Sequence, residues 1–198
     1  MDAAGADLAA ALAAVRRGEV IAVATDTVHG LACDPRNAAA VDRVYALKRR
    51  PADLELTLLA HDVGQLERLV AWTPAAARLA AAFWPGPLSL VLPVGDMRVA
   101  VPRRGETLSV RVPAHPLLLA LLEQSGPLAS TSANRHGEPP ALSAAAVRRQ
   151  FGDQVSQMLG GGSPAGQAST IIDCSVTPPR VLREGPIDHR SLSEFVQG

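Results

Sequence analysis

Short apolar runs alternate with Ala- and Leu-rich stretches along the chain, and polar or Pro/Gly breaks separate them. Ala6 to Arg17 is built from strong helix formers, and Gly18 stands where a helix should end. Val20 to Ala24 (VIAVA) is short, continuous and rich in β-branched residues, which predicts a strand buried on both faces. Asn37 is placed to cap a helix through Leu47, with Val41, Val44 and Leu47 at helical spacing. Leu56 to Ala60 predicts a second strand, and Pro74 to Phe83 a helix with proline in its first turn. A rigid Trp84-Pro85-Gly86-Pro87 turn leads into a strand over Leu88 to Leu92, and Ser109 to Val112 is another strand, closed by Pro113. Pro116 to Gln124 reads as helix, Leu128 to Thr131 as strand, and Ser143 caps a helix to Gln150. Gly160-Gly161-Gly162 reads as a flexible loop, while Thr170 to Asp173 and Val181 to Leu182 are closing strands. No repeat and no long linker interrupts this alternation, so a single α/β domain over residues 1–198 is the economical reading.

Composition narrows the class. Apolar residues make up 47% of 198 residues, which excludes a disordered chain. Lys+Arg and Asp+Glu number 19 each, so the net charge is zero and no polycationic nucleic-acid tail is present. Aromatics are only 3%, which argues against a platform for stacking bases. Cys33 and Cys174 are too far apart for a zinc knuckle or CxxC pair and suit a reducing cytosol, with one distant disulfide left open. Met1 to Gly18 carries Asp2 and Asp7 and no cationic region, so it does not read as a signal peptide. No apolar run approaches the length of a membrane span, and the expected address is the cytoplasm.

Three polar clusters are expected just after buried strands: Thr25/Asp26/Thr27, Ser130/Thr131/Ser132/Asn134, and Ser169/Thr170. Any one of them alone would be an ordinary turn or cap; three at comparable positions favour a shared pocket for a small polar ligand. Lys48-Arg49-Arg50 can bind an anion or can simply be a solvated helix end favoured by the dipole. Arg111 interrupts an apolar strand and needs a partner or a ligand, and Arg183 follows another strand. Asp26 and Asp173 could serve as base or Mg²⁺ ligand, although lone carboxylates after strands are more often structural. His29, His61, His115, His136 and His189 lack zinc-site spacing, and no P-loop, dinucleotide fingerprint or nucleophile elbow occurs. The residues alone therefore imply a small-ligand pocket with an anionic subsite and name no reaction.

The segments Thr25-Asp26-Thr27-Val28-His29-Gly30-Leu31, Leu47-Lys48-Arg49-Arg50-Pro51, Phe83-Trp84-Pro85-Gly86-Pro87-Leu88, Val110-Arg111-Val112-Pro113, Ser130-Thr131-Ser132-Ala133-Asn134, Ser169-Thr170-Ile171-Ile172-Asp173 and Leu182-Arg183-Glu184-Gly185 follow one another between Val20 and Ile187. In that order they resemble the YrdC/TsaC family, the L-threonylcarbamoyladenylate synthases of tRNA modification. The resemblance implies a single YrdC-like α/β domain, a twisted mixed or parallel sheet with flanking helices around a large concave, electropositive cavity. It implies a nucleotidyltransferase that condenses L-threonine, bicarbonate and ATP, with Mg²⁺ accompanying the nucleotide, into threonylcarbamoyl-AMP and pyrophosphate. A downstream threonylcarbamoyl-transferase complex would be the partner, and a weak RNA contact is compatible with it.

Carried over residue by residue, the resemblance gives threonine to Thr25, Thr27 and Arg111. Lys48, Arg50, Ser132 and Asn134 become the tetrad gripping ATP and the forming carbamate, and Ser130 and Arg183 add nucleotide contacts. The chain departs from the family pattern at Asp26 (Glu is usual), His29 (Tyr or Phe), Leu54, Ala168 and Glu184. These departures keep a second reading open, a divergent non-catalytic nucleotide- or RNA-binding protein. A carbamoyl-transfer relative from hydrogenase maturation is a third and weaker one. The extra C-terminal domain of longer relatives is not expected.

Overall fold

The computed structural model describes residues 3–49, 55–97, 99–101, 105–161 and 166–196. Its strands are β1 (Ile21–Val23), β2 (Gly30–Cys33), β3 (Thr57–Leu59), β4 (Leu88–Pro93), β5 (Thr107–Arg111), β6 (Leu128–Ser132), β7 (Met158–Leu159), β8 (Thr170–Asp173) and β9 (Arg180–Arg183). Its helices are α1 (Ala3–Arg16), α2 (Ala38–Lys48), α3 (Pro74–Phe83), α4 (Pro116–Ser125), α5 (Ala144–Phe151) and α6 (His189–Val196). The strands form one mixed sheet in the order β7-β1-β2-β6-β3-β5-β4-β8-β9. β1/β7, β3/β5 and β4/β8 pair parallel, and the remaining neighbours pair antiparallel.

Helix starts follow local chemistry. Asn37, Thr73 and Ser143 each accept the backbone N–H three residues on, at 3.1–3.2 Å. His115 does the same for Leu118 N through Nδ1 at 3.4 Å, with Pro116 behind it. Gly18 ends α1 in the left-handed region at φ 75°, as anticipated, whereas α2 ends on a left-handed Arg49 at φ 51°.

Alternation along the strands divides the sheet into two faces. Ala22, Leu31, Leu58, Leu90, Val110 and Ile172 join one buried cluster with Val41 and Val44 of α2, Leu79 of α3 and Leu192 of α6. Ile21, Val23, Ala32, Leu59 and Leu128 point the other way, into a smaller cluster under α1 and α4. Those two helices cover only part of their face. β2 (Gly30–Cys33), β7 and α6 were not anticipated. β2 follows a polar cluster without β-branched residues and owes its form to pairing with β1 and β6. β7 is two residues paired with β1, and α6 docks by Phe195 against Phe83 with ring centroids 5.5 Å apart.

Gly185 shows how closely the β9 end is packed. A Cβ there would meet Thr170 N, and would lie 2.6 Å from Ala168 O. Gly185→Ala should therefore lower stability by about 1–3 kcal/mol through backbone displacement. A lowered urea midpoint at unchanged slope checks this.

Candidate active site

The uncovered part of the sheet face is the floor of a cavity of about 320 Å³, within the size range of small-ligand pockets. Its floor is polar because hydroxyl residues occupy the alternate positions that face it. Ser130, Thr57 and Ser109 stand side by side on β6, β3 and β5. Thr57 Oγ1 and Ser109 Oγ share a hydrogen bond of 3.0 Å, and Ser89 on β4 shares one of 2.9 Å with Ser169. The clusters expected after strand ends thus sit differently. Ser130 and Ser132 lie within β6 and Ser169 immediately precedes β8, so the ligand space lies over a sheet face. Gly30 permits this crowding, since a Cβ there would be 2.7 Å from Ser130 Oγ. Thr57, Ser89, Ser109 and Glu55 line the cavity and were not singled out from sequence. The available signal was a lone hydroxyl at alternating positions inside apolar strands, as in Leu88-Ser89-Leu90 and Leu108-Ser109-Val110.

Arg111 ends β5 and is 5% exposed. Its charge is met by Asp26, with Nη2 donating to Oδ1 at 2.6 Å, and by Gly86 O, which accepts from Nε at 2.9 Å. Nη1 donates to Thr27 Oγ1 at 3.0 Å. Burial pushes the guanidinium below its usual pKa, and Asp26 pulls it back. A guanidinium has about five N–H donors; these bonds use three of them.

The hydroxyl chain beyond Arg111 has a fixed direction. Thr25 Oγ1 donates to Val28 O at 2.7 Å, because a carbonyl can only accept. Thr25 Oγ1 must then accept in its 2.9 Å bond with Thr27, so Thr27 is the donor. Both hydroxyl hydrogens of the two buried threonines are committed. Thr25 Oγ1 also accepts from the Thr27 backbone N–H at 3.0 Å, which fills both of its lone pairs, whereas Thr27 Oγ1 accepts from Arg111 alone and keeps one lone pair for a ligand. Asp26 Oδ2, also buried, has no hydrogen-bond partner among the described residues.

Thr25, Thr27, Arg111, Ser130, Ser132 and Arg183 all line the cavity. Arg183 is exposed and donates to Ser169 O at 2.8 and 3.0 Å. Lys48 and Asn134 are brought together with Ser132, which itself lines the cavity. Lys48 Nζ is buried and donates to Ser132 O, to Asn134 O at 2.7 Å and to Asn134 Oδ1 at 3.2 Å. Asn134 Nδ2 donates to Arg135 O and Glu138 O at 3.0 and 2.6 Å. Arg50 and Leu54 lie outside the described residues. Among the described residues the charged side chains that line the cavity are Arg111, Arg183 and Glu55, with Arg111 paired to Asp26.

Among the described residues, no group of three or more His, Cys, Asp or Glu side chains could hold a metal ion, and no helix is long and apolar enough to cross a membrane. Cys33 and Cys174 are buried free thiols, each pushed up to about 12 chiefly by burial.

Comparison with known proteins agrees with this architecture. The Sua5/YciO/YrdC family model, described as telomere recombination, matches residues 13–185. The chain belongs to that family. It is 46% identical over 171 residues to the threonylcarbamoyl-AMP synthase of Chromohalobacter salexigens, covering 84% of this chain and 91% of that protein. It is 36% identical over 192 residues to the putative threonylcarbamoyl-AMP synthase of Mycobacterium tuberculosis, covering 96% and 88%. The crystal structure of P. abyssi Sua5 complexed with L-threonine superposes with a TM-score of 0.90 at 36% identity over 96% of this chain. The chain spans 57% of the length of that archaeal protein.

Two histidines beside the site predict a pH dependence. Burial lowers the pKa of both His29 and His115; Asp26 opposes the shift at His115, and His29 adds to it. The folded state then binds fewer protons than the unfolded chain below the ordinary histidine value of about 6.5. Their contribution to stability is full above that pH and is lost as pH falls through it. The melting temperature should drop between about pH 7.5 and about pH 5.5. His115→Asn, which keeps an N-cap acceptor, should reduce that slope.

Proposed function

We propose that this protein is a threonylcarbamoyl-AMP synthase acting in the cytoplasm in tRNA threonylcarbamoyladenosine formation. The observation that carries the reading is the Arg111–Thr27–Thr25 chain on the cavity wall of a Sua5/YciO/YrdC domain. The relatives' printed names and the threonine complex of the archaeal Sua5 support the substrate.

The geometry suits L-threonine. Thr27 presents its remaining lone pair to a donor of the ammonium or hydroxyl group and Thr25 holds Thr27 in place, while the remaining Arg111 N–H groups face its carboxylate. A guanidinium fork matches a carboxylate better than an ammonium would. Ser130, Ser132 and Arg183 serve the nucleotide. Lys48, Arg50 and Asn134 complete the ATP-gripping set, with Lys48 and Asn134 fixing the turn after β6.

The reaction requires no covalent enzyme intermediate. The threonine nitrogen adds to bicarbonate carbon with loss of water, giving a carbamate. A carbamate oxygen then attacks the α-phosphorus of ATP, a new P–O bond forms, and the bond to pyrophosphate breaks. The chain's part is alignment and charge stabilisation. Mg²⁺ is a hard cation that prefers phosphate oxygens and water. With no cluster of protein ligands among the described residues, it enters with ATP as part of the substrate. The product passes to a threonylcarbamoyl transferase, and contact with RNA is weak.

Purified protein given Mg-ATP, bicarbonate and L-threonine should release pyrophosphate and accumulate threonylcarbamoyl-AMP; no product where an authentic synthase works refutes the reading. Thr27→Val removes one relay hydroxyl at similar volume. It should raise the threonine KM about tenfold, the worth of one buried hydrogen bond of about 1.4 kcal/mol. Arg111→Lys should lose most threonine capture because three geometrically fixed contacts cannot be remade.

A further inference from the structure

His29 lines the same cavity two residues beyond Thr27 and is fully buried. Its backbone is held on both sides, since its N–H donates to Ala141 O at 3.1 Å and its carbonyl accepts from Ala133 N at 2.7 Å. The ring reaches across the fold to Gly161, with Nε2 2.8 Å from the carbonyl oxygen. Because that oxygen can only accept, Nε2 carries the hydrogen of this bond. The residue before Gly161 is closely placed. Gly160 has φ 87°, and a Cβ there would lie 3.0 Å from Ala24 Cβ and 3.1 Å from His115 Cε1. Gly166 N donates to Thr27 O at 3.0 Å, so Gly161 and Gly166 both bond to the loop that carries Thr25 and Thr27. A Tyr or Phe ring, expected at this position from the family pattern, would fill the space without this bond from a ring nitrogen.

We propose that His29 is a positioning residue for substrate capture: by donating from Nε2 to Gly161 O it ties the Gly160-Gly161 turn to the Thr25–His29 loop and holds Thr27 Oγ1 where a substrate donor meets it. The inference rests on the synthase reading. His29 touches the reacting atoms in no step; it acts through Gly161 and the loop. Burial keeps the imidazole neutral near pH 7, the state in which one nitrogen donates and the other does not.

The test combines a spectrum with a variant series. The ¹⁵N spectrum of labelled wild-type protein should show His29 protonated at Nε2; a bare Nε2 overturns the proposal. His29→Phe should weaken threonine binding by calorimetry, and raise its KM, about tenfold, with kcat nearly unchanged. His29→Gln places an amide donor near the same point and should recover most of that loss. Gly160→Ala, which must displace the turn, should behave like His29→Phe. Gly161→Ala, whose Cβ meets nothing within 4 Å, should behave like wild type. Wild-type protein that makes no threonylcarbamoyl-AMP overturns the synthase reading and this inference with it. Wild-type protein that makes product while His29→Phe captures threonine as well as His29→Gln overturns the inference alone.

Discussion

A guanidinium buried at the end of β5 organises the site. Arg111 cannot be taken out of water without partners, and removing one partner of such a pair costs about 3–5 kcal/mol. Its demands are met by two separate pieces of chain: Asp26 and Thr27 from the loop after β1, and the Gly86 carbonyl from the turn before β4. Satisfying one charge therefore closes that loop and that turn around one end of the cavity. The direction of the Thr27–Thr25 chain is set at its other end, where the Val28 carbonyl can only accept from Thr25.

The rest of the cavity is a consequence of incomplete coverage. α1 and α4 shield Leu59, Leu128 and the β1 side of their face, and hydroxyl residues take over where the helices stop. Such a floor binds polar ligands through hydrogen bonds without adding charge, which fits a chain whose total charge is zero. The cations divide the work: Arg111 and Arg183 face the cavity, while Lys48 is turned into the carbonyls that end β6. Lys48 thereby holds Ser132 and Asn134 in position.

Most helices and central strands were legible because their signals are local. Asn37, Thr73 and Ser143 cap as their side chains allow, and the apolar runs at 88–92 and 128–131 fall in strands. β2 and β7 were not legible, since Gly30–Cys33 and Met158–Leu159 become strands only through neighbours supplied by the sheet order. In the candidate site, the threonines, Arg111 and the Ser130–Asn134 segment were legible as polar groups in apolar surroundings. Thr57, Ser89 and Ser109 were not, because a single hydroxyl in a strand has the same local signature whether it faces a ligand or a neighbour.

By itself, the sequence determined the alternation of helix and strand, the capped helix starts, the need of Arg111 for a partner and the motif order that marks the family. These depend on residue chemistry and on spacings of a few residues. Only the tertiary structure decided that the ligand space lies over a sheet face, that Asp26 answers Arg111, that Lys48 is buried against the carbonyls of Ser132 and Asn134 and that His29 grips Gly161 from 132 positions away. The physical reason is that strand order and register set which side chains become neighbours, and these are global properties that no local pattern contains.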